Sequence, residues 1–349
     1  MSGNGDFTKK CQTFFETNFD IKKALLTTSC TDALEMAAIL LDIKEGDEII
    51  MPSFTFVSTA NAFVLRGGKI IFADSQPEHP NIDETKLEAL ITPKTKALVV
   101  VHYAGMACHM DTIMKIANAH NLFVVEDAAQ AIDSYYKNRP LGSIGHLAAF
   151  SFHETKNIIY GEGGLLAIND DRFSERAEII WEKGTNRSAF FRGEVDKYGW
   201  VDIGSSFLPS EITAAFLWAQ LETLSAIQKQ RKSIWNWYYD GLKPLEEKGL
   251  IKLPTIPENA TNNAHMFYLV FNTNEDRTAC LNYLKEKEIN AVFHYLSLHN
   301  SSFYQDKHDG RDLPFSDKYS ETLLRLPFYF ELSLKQVDYV IEAIKKAVG

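Results

Sequence analysis

Four runs of consecutive apolar residues, each bounded by turn-forming residues, mark the first part of the chain. They cover residues 47–52, 68–74, 96–103 and 122–129. Because neighbouring positions in each run are apolar, rather than every second position, the pattern predicts strands that are buried on both faces. Residues 31–43 and 110–121 have helical spacing between such runs. This alternation predicts an α/β fold with a large, mostly parallel sheet and helices on both sides.

The pattern changes after Pro209. Residues 209 to 248 have helical spacing and many aromatic side chains, which predicts one long connecting helix. The pattern then reads strand, helix, strand, helix over residues 265–273, 278–289, 291–296 and 334–348. We therefore expect a large domain over residues 1–225, followed by the connecting helix and a small C-terminal α/β domain over residues 226–349. With no low-complexity linker in the sequence, the two domains are expected to pack tightly.

Composition narrows the class of protein. The chain has 349 residues, of which 45% are hydrophobic, and a net charge of −10. An acidic chain lacks the basic surface that nucleic acid or an anionic membrane requires, so we expect neither partner. No apolar run approaches the roughly 20 residues of a membrane span, and the first ten residues, MSGNGDFTKK, lack the apolar core of a signal peptide. Four scattered cysteines without a CxxC pair indicate reduced thiols, and hence a cytoplasmic enzyme.

Three polar features follow predicted strands, where ligands bind in α/β sheets. Residues 27–36, TTSCTDALEM, place hydroxyls and free backbone N–H groups at a helix start, which suits a phosphate, although the motif taken alone is more typical of an ordinary N-cap. Glu126 and Asp127 end the fourth strand, before two alanines. Lys156 follows the apolar run FSF, and glycines at 161, 163 and 164 come after it. We expect these glycines to leave room for a large substrate.

A phosphate cradle, a carboxylate and a lysine are together the groups that pyridoxal phosphate (PLP) needs. The carboxylate keeps its ring nitrogen protonated, and the lysine forms a Schiff base with its aldehyde. On these motifs alone, an unrelated α/β enzyme remains an equal alternative. No HExxH or clustered histidine spacing occurs, so we predict no metal site.

Longer segments resemble a known family. MPSFTFVSTANAFVLRGGKI, HYAGMACHMDTIMKIANAHNLFVVEDAAQ, SFHETKN and KGTNRSAFFRGEVDKYGWVDIGSS resemble the DegT/DnrJ/EryC1/StrS sugar aminotransferases, and the resemblance covers nearly the whole chain. It implies fold type I of the PLP-dependent transferases, with L-glutamate as amino donor. It also implies a dTDP-linked 4-keto-6-deoxy sugar as acceptor, and a homodimer whose sites lie at the two-fold interface.

The resemblance assigns roles around the cofactor ring. Lys156 is implied to be the Schiff-base lysine and the catalytic residue. Asp127 is implied to pair with the ring nitrogen, and Gln130 to lie near the ring hydroxyl. Phe56 corresponds to the aromatic residue that stacks on the ring.

Further residues follow from the same resemblance. Ser151 and Thr31 are implied to contact the cofactor phosphate, and Asp32 to contribute mainly through its backbone. For the sugar, the implied contacts are weaker: His294 and Tyr295 lie in a segment that resembles an active-site strand of the small domain. Arg187 lies in a basic stretch, residues 183–197, whose charges are suited to a diphosphate but are slightly more typical of a solvated loop.

Two departures from the family pattern bear on the dimer. Relatives place an asparagine before the connecting helix, reaching the partner's phosphate; this chain has Leu208 there, which leaves Ser205 or Ser206 as the substitute. Relatives also have a segment upstream of the point where this sequence starts, carrying a helix that packs on the large domain. That segment has some two dozen residues, so we expect either a shortened chain or a misplaced start, with stability and dimer contacts affected.

Alternative functions remain open. One is a 3-aminotransferase that acts on a related keto sugar. Another is a sugar dehydratase with the same cofactor, but such relatives replace the lysine by histidine, and Lys156 is present. The third is a regulatory protein that keeps the fold without turnover, which the presence of Lys156, Asp127 and Gln130 disfavours.

Overall fold

A seven-stranded sheet forms the centre of the larger part of the computed structural model, which describes residues 3–349. The elements of this part are, in chain order, α1 (Asp6–Asn18), β1 (Lys23–Thr27), α2 (Cys30–Leu40), β2 (Glu48–Pro52), α3 (Val57–Val64), β3 (Lys69–Ala73), β4 (Thr95–Val101), α4 (Met110–Ala119), β5 (Phe123–Asp127), β6 (Tyr135–Tyr136), β7 (Arg139–Pro140), β8 (Leu147–Ser151), β9 (Gly164–Ile168), α5 (Ser174–Trp181), α6 (Arg187–Phe191) and α7 (Glu211–Leu221). Helix α1 packs against α7 and β1.

The strand order of the large sheet is β1-β9-β8-β5-β4-β2-β3. Strand β9 runs antiparallel to both β1 and β8, and the other neighbouring pairs are parallel. The prediction of a mostly parallel sheet is therefore confirmed. The carboxyl ends of β1, β2, β4, β5 and β8 consequently meet at one edge, together with the start of β9.

Both faces of this sheet are buried, which explains the continuous apolar runs. In β5, Val124 points into the core formed with Leu98 and Ala148, whereas Val125 points into the core on the opposite face. Each fully buried valine or leucine side chain contributes roughly 1.5–3 kcal/mol relative to an exposed one. A strand with an apolar residue at every position is thus stable only between two helical layers.

The prediction of one long connecting helix is wrong, because this segment forms two helices. Helix α7 ends at Leu221, and α8 (Leu224–Glu247) begins after a break. At the break, the hydroxyl of Thr223 donates to the carbonyl oxygens of Ala219 and Gln220. Such back-bonding by threonine competes with the helical ladder. The break lies close to the proposed domain boundary at residue 225, which stays a prediction.

The C-terminal part has its own sheet and core. Its further elements are β10 (Ile251–Lys252), β11 (Tyr268–Phe271), α9 (Asn274–Glu286), β12 (Val292–Phe293), α10 (Pro314–Thr322), β13 (Leu323–Arg325) and α11 (Leu334–Val348). The predicted strand, helix, strand and helix are present, but α10 and β13 lie between the last two. The sheet order is β10-β11-β13-β12, and its pairs are antiparallel. Within residues 3–349, no helix has the length and apolarity needed to cross a bilayer.

Candidate active site

A cavity of about 580 Å³ lies where the carboxyl edge of the large sheet faces the small domain. The large domain forms one wall, through the loops that follow β1, β2, β5 and β8. The small domain forms the other, through β12, the residues after it, and the end of β13. The residues that line the cavity include Cys30, Thr31, Phe56, Ser58, Asp127, Gln130, Ser151, His153, Lys156, Glu162, His265, His294, Tyr295 and Arg325.

Lys156 lies in the turn after β8, where its backbone N–H donates to the carbonyl of His153 at 2.9 Å. Burial lowers the pKa of the Lys156 ammonium group, because the charged form loses hydration; nearby Cys30 and Asp127 oppose this shift. The neutral amine is the nucleophilic form of lysine. The fold therefore favours a reactive lysine at this edge of the sheet.

A buried amide network holds the turn that carries Lys156. The Asn157 side chain donates to Gln228 Oε1 and to the Asn263 carbonyl, each at 2.9 Å. His265 Nδ1–H donates to Asn157 Oδ1 at 2.8 Å. Burial holds the pKa of His265 well below its usual value, so the ring is neutral. The network links the Lys156 turn to α8 and to the chain that enters the small domain.

Asp127 ends β5 and is only 5% exposed. Its Oδ2 accepts from the Thr59 hydroxyl at 2.6 Å, and its Oδ1 accepts from the Ala129 N–H at 3.2 Å. Burial raises the pKa of this carboxyl group above its ordinary value, although both hydrogen bonds act in the opposite direction. In the described part of the chain, no cationic side chain forms an ion pair with it. The Asp127 carboxylate can therefore still accept a hydrogen bond from a cationic partner.

The start of α2 forms the phosphate-sized corner of the cavity. Ser29 caps the helix by accepting from the Asp32 N–H at 3.0 Å. The N–H groups of Cys30 and Thr31 lie in the first turn, where a helix offers no acceptor. The Thr31 hydroxyl donates to Ser58 at 2.9 Å, which brings a second hydroxyl to the same corner. Backbone donors, hydroxyls and the helix dipole together suit an anion.

Gly164 explains how this corner is built. A Cβ at this position would lie 2.5 Å from the Cys30 backbone nitrogen and 2.6 Å from the Ser29 carbonyl carbon. Only glycine lets β9 lie this close to the start of α2. The expectation that Gly164 makes room for substrate is therefore wrong: it makes room for the helix that carries the free N–H groups.

The remaining predicted cofactor contacts also line the cavity. Gln130 Oε1 accepts from the Ala104 N–H at 2.6 Å, and its Nε2 donates to the Tyr295 hydroxyl at 3.1 Å. Phe56 presents a ring that is 54% exposed, with its centroid 6.0 Å from that of Tyr295. Ser151, at the end of β8, lies on the same wall. Gln130 therefore links the loop after β5 to Tyr295, which follows β12.

The predicted sugar-contacting residues separate into two groups. His294 and Tyr295 line the cavity, and His294 Nδ1 is hydrogen-bonded to the Tyr103 hydroxyl at 2.8 Å. Arg187 does not line it: this side chain is exposed, with its guanidinium 5.1 Å from the ring centroid of Phe191. The exposed Ser205 and Ser206 and the half-buried Leu208 also lie outside the cavity wall of this chain.

Three further lining residues, Ser58, His265 and Arg325, belong to none of the motifs from which the sequence predicts the site. Ser58 lies in the first turn of α3, beside Thr59, where a serine is common in any helix. His265 stands alone before an apolar strand, where a structural histidine is the common interpretation. Arg325 interrupts the apolar stretch LLRLP, and this interruption is a signal that sequence reasoning could have used.

These observations fit pyridoxal phosphate. The start of α2 matches its phosphate, the unpaired Asp127 carboxylate matches its protonated ring nitrogen, and Lys156 matches its aldehyde. Among residues 3–349, no group of three or more His, Cys, Asp or Glu side chains is placed to hold a metal ion. Fold and cavity thus define an α/β enzyme with a lysine and a carboxylate at neighbouring strand ends.

Comparison with known proteins gives the family. Residues 2–345 match the DegT/DnrJ/EryC1/StrS aminotransferase family, and the chain belongs to it. The spore coat polysaccharide biosynthesis protein SpsC of Bacillus subtilis is 34% identical over 94% of this chain and 86% of its own length. GDP-perosamine synthase of Caulobacter vibrioides is 34% identical over 77% of this chain and 69% of its own length.

A solved structure agrees with this result. Helicobacter pylori PseC, an aminotransferase involved in the biosynthesis of pseudoaminic acid, superposes with a TM-score of 0.90 at 25% identity, covering 99% of this chain and 92% of the other. The chain is accordingly a sugar aminotransferase, and its cofactor is pyridoxal phosphate.

Proposed function

We propose that this enzyme transfers the amino group of L-glutamate to C4 of dTDP-4-keto-6-deoxy-D-glucose, giving dTDP-4-amino-4,6-dideoxy-D-galactose. This is the reaction of the dTDP-4-amino-4,6-dideoxygalactose transaminase of enterobacterial common antigen biosynthesis, which the sequence segments resemble. The observation that carries the proposal is the shared cavity, in which Lys156 and Asp127 face the small-domain wall. The names of the relatives, a GDP-perosamine synthase and a spore coat polysaccharide protein, support a nucleotide sugar destined for a polysaccharide.

Each residue has a defined task in this proposal. Bound pyridoxal phosphate supplies an aldehyde and an electron-withdrawing ring. The N–H groups at the start of α2, with Thr31 and Ser151, bind its phosphate. Asp127 keeps the proton on its ring nitrogen, and Gln130 contacts the ring hydroxyl. Lys156 would hold the aldehyde and, as a neutral amine, would move the proton at the α-carbon of the donor.

The Asp127 carboxylate is suited to its task by its surroundings. The Thr59 hydroxyl and the Ala129 N–H fix its orientation and occupy one acceptor position on each oxygen. A carboxylate has about four acceptor positions, so capacity remains for a ring N–H. Because Asp127 is only 5% exposed, such a charge-assisted hydrogen bond is stronger there than in solvent.

We further propose a homodimer whose contact surface includes the segment Trp200–Ile212. The Trp200 side chain is 83% exposed, and the side chains of Val201, Ile203 and Ile212 are exposed beside it. A run of exposed apolar side chains is typical of an interface, and a second copy with a two-fold axis buries it without leaving an open end. Ser205 and Ser206 belong to this segment and would reach the partner's cavity.

The dimer has its own test. We expect light scattering to give twice the mass of one chain. Mixing two inactive variants, Lys156→Ala and Ser206→Glu, is expected to restore part of the activity, because hybrid dimers contain one site with both wild-type contributions. A fully active monomer would contradict the shared site.

The reaction is tested by product identification. The holoenzyme is incubated with glutamate and a panel containing dTDP-linked and GDP-linked 4-keto-6-deoxy sugars and a dTDP-linked 3-keto isomer, with Lys156→Ala enzyme as control. NMR is expected to show a new axial amine at C4 of the dTDP sugar. A product aminated at C3 would establish the 3-aminotransferase alternative. Bound cofactor without amination of any sugar would support a protein that has lost turnover.

A further inference from the structure

His265 has one ring nitrogen that no group of the described chain uses. The ring is 3% exposed, yet it lines the cavity. The Asn157 amide nitrogen donates to Gln228 Oε1 and to the Asn263 carbonyl, so the oxygen of that amide is the acceptor for the ring. His265 Nδ1 therefore carries the proton, and Nε2 carries a lone pair. Nε2 has no hydrogen-bond partner in the described chain and is open to the cavity.

His102, which is also buried, uses both of its ring nitrogens. Its Nδ1 accepts from the Cys108 N–H at 3.2 Å, and its Nε2 donates to Glu126 at 2.9 Å. Such a ring has a structural role, and it is not among the residues that line the cavity. A polar atom that is buried without a partner costs free energy, so buried polar atoms are nearly always paired. The open lone pair of His265 thus indicates that this ring accepts a hydrogen bond from a group inside the cavity.

The Lys156 side chain is a donor attached to the same turn. Asn157, which holds the ring, directly follows Lys156 in the sequence. The ammonium group of Lys156 is near enough to contribute to the lowered pKa of His265. Within residues 3–349, Lys156 Nζ has no hydrogen bond or ion pair. Because a lysine head group carries N–H donors in both of its protonation states, it needs an acceptor in a buried site.

The other basic groups beside the ring do not occupy its lone pair. Arg231 donates to the backbone carbonyls of Ala264 and His265 instead. Arg325, on the small-domain wall, has a buried Nε without an acceptor in the part of the chain that the structure describes, so this Nε is not bonded to the ring either. Burial holds the pKa of His294 well below the usual histidine range, so that ring is neutral. The lone pair of His265 therefore remains available to the lysine.

Two other groups near Lys156 are weaker candidates for its acceptor. Asp127 and Cys30 both favour the charged form of the amine. In the proposed function, however, Asp127 is paired with the ring nitrogen of the cofactor. Burial holds the pKa of the Cys30 thiol well above its usual value, so it stays protonated, and a thiol is a weak acceptor. His265 Nε2 is thus the best acceptor for the Lys156 amine.

A hydrogen bond at this point sets the direction of the lysine lone pair. The neutral amine has two N–H groups and one lone pair, and holding one N–H fixes the rotation of Nζ. The lone pair then stays directed at the proton on the α-carbon of the amino donor. We propose that His265, locked in one tautomer by Asn157, accepts a hydrogen bond from the Lys156 amine and positions it for this proton transfer. The proposal rests on the proposed function for the role of Lys156 in moving that proton.

Two substitutions separate the structural contact of the ring from its open lone pair. In His265→Asn, the amide nitrogen lies where Nδ1 lies in histidine, so the bond to Asn157 is kept and the acceptor at Nε2 is lost. In His265→Gln, the longer side chain brings an amide oxygen to the position of Nε2 and restores the acceptor. His299→Asn is the matched control, because His299 is 4% exposed, is bonded through Nδ1 to Ser53 and does not line the cavity.

The first measurement uses the cofactor-free enzyme. Each protein is labelled with acetic anhydride over a range of pH, and mass spectrometry of the Lys156 peptide gives the pKa of this amine. We expect His265→Asn to lower that pKa by about one pH unit, since the lost hydrogen bond stabilises the ammonium form. His265→Gln and His299→Asn are expected to leave it within about 0.3 pH units of the wild type. A cavity that merely loosens gives the opposite sign, because hydration of Lys156 raises its pKa.

The second measurement uses the holoenzyme and its half-reaction with glutamate. In His265→Asn, this half-reaction is expected to slow about tenfold and to show a larger isotope effect with glutamate deuterated at the α-carbon, because cleavage of that C–H bond becomes more limiting. His265→Gln should recover most of the rate.

An unchanged or raised pKa of Lys156 in His265→Asn would overturn the proposal, and so would an unchanged isotope effect. If this pKa falls as expected but borohydride reduction places the cofactor on another lysine, the hydrogen bond between His265 and Lys156 stands, and the proposed function of Lys156 fails.

Discussion

Two successive carboxylates at the end of β5, Glu126 and Asp127, are both buried but have opposite surroundings. Glu126 accepts from the backbone N–H groups of Gly142 and Ile144, at 2.9 and 2.8 Å, and from His102 Nε2 at 2.9 Å. Asp127, on the other face of the strand, has two hydrogen bonds and no cation. Burial opposes ionisation of both, yet the hydrogen bonds hold the pKa of Glu126 below its ordinary value, whereas that of Asp127 is raised.

This difference in hydrogen bonding indicates that Glu126 has a structural role and Asp127 a functional one. The Cys108 N–H donates to His102 Nδ1, so Nε2 carries the proton that His102 donates to Glu126. All partners of Glu126 are therefore donors fixed by the protein, and nothing is left for a ligand. Asp127 keeps free acceptor capacity toward the cavity. In this pair of carboxylates, unmatched hydrogen-bonding capacity therefore indicates function better than burial does.

The largest expected effect is at Lys156, the group that faces Asp127 across the site. Lys156→Ala is expected to abolish transamination and the yellow colour of the bound cofactor, because no other lining side chain can exchange covalently with the amino donor. Lys22→Ala, at an exposed lysine that pairs with Asp171, serves as control and should keep both. Measurable turnover by the Lys156 variant would remove this residue from the chemistry.

At Asp127 we expect a large decrease in the rate of the half-reaction with glutamate, while the protein still folds. Asp127→Asn is expected to bind cofactor but to slow the half-reaction with glutamate on the order of 100-fold or more, since a neutral amide does not stabilise the protonated ring nitrogen. Stopped-flow absorbance after mixing with glutamate measures the rate. A wild-type rate in this variant would show that Asp127 is not the partner of the ring.

At Glu126 the effect is expected on stability instead. Glu126→Gln places an amide among groups that all donate, and is expected to lower the free energy of unfolding by about 3 kcal/mol. Glu88→Gln is the matched control, because Glu88 also pairs with a histidine, His120, but at the surface; a change within about 0.5 kcal/mol is expected there. Urea unfolding gives both values. Equal effects at the two sites would contradict the structural role of Glu126.

The smallest expected effect is the pH dependence of the cofactor-free enzyme. The pKa of Asp127 is raised in the folded protein, so the folded state binds more protons than the unfolded state between the ordinary and the raised value. The stability of the wild type relative to Asp127→Asn should therefore fall as pH rises through this window and be constant above it. Urea unfolding of both proteins from acidic to neutral pH measures this difference in stability. A wild type that becomes more stable relative to Asp127→Asn as pH rises would contradict the raised pKa.

The sequence predicts the large-domain wall far better than the small-domain wall. Asp127 ends one apolar strand and Lys156 follows another. Because their continuous apolar patterns predict buried parallel strands, the sequence places both residues at the carboxyl edge of the sheet. Arg325 ends a strand of three residues, which is too short for periodicity to detect, and its approach to Lys156 depends on how the domains pack. Sequence periodicity does not reveal the break between α7 and α8, because helical spacing continues on both sides of Thr223. The role of Gly164 depends on an inter-element distance that no local pattern encodes.

The most direct test of the account is chemical labelling of the holoenzyme. Borohydride reduction followed by proteolysis and mass spectrometry is expected to place the cofactor on a single peptide, at Lys156, with no label in the Lys156→Ala variant. The cofactor recovered on any other lysine, or a wild-type enzyme that is active but yields no labelled peptide, would contradict the assignment of this cavity as the aminotransferase site.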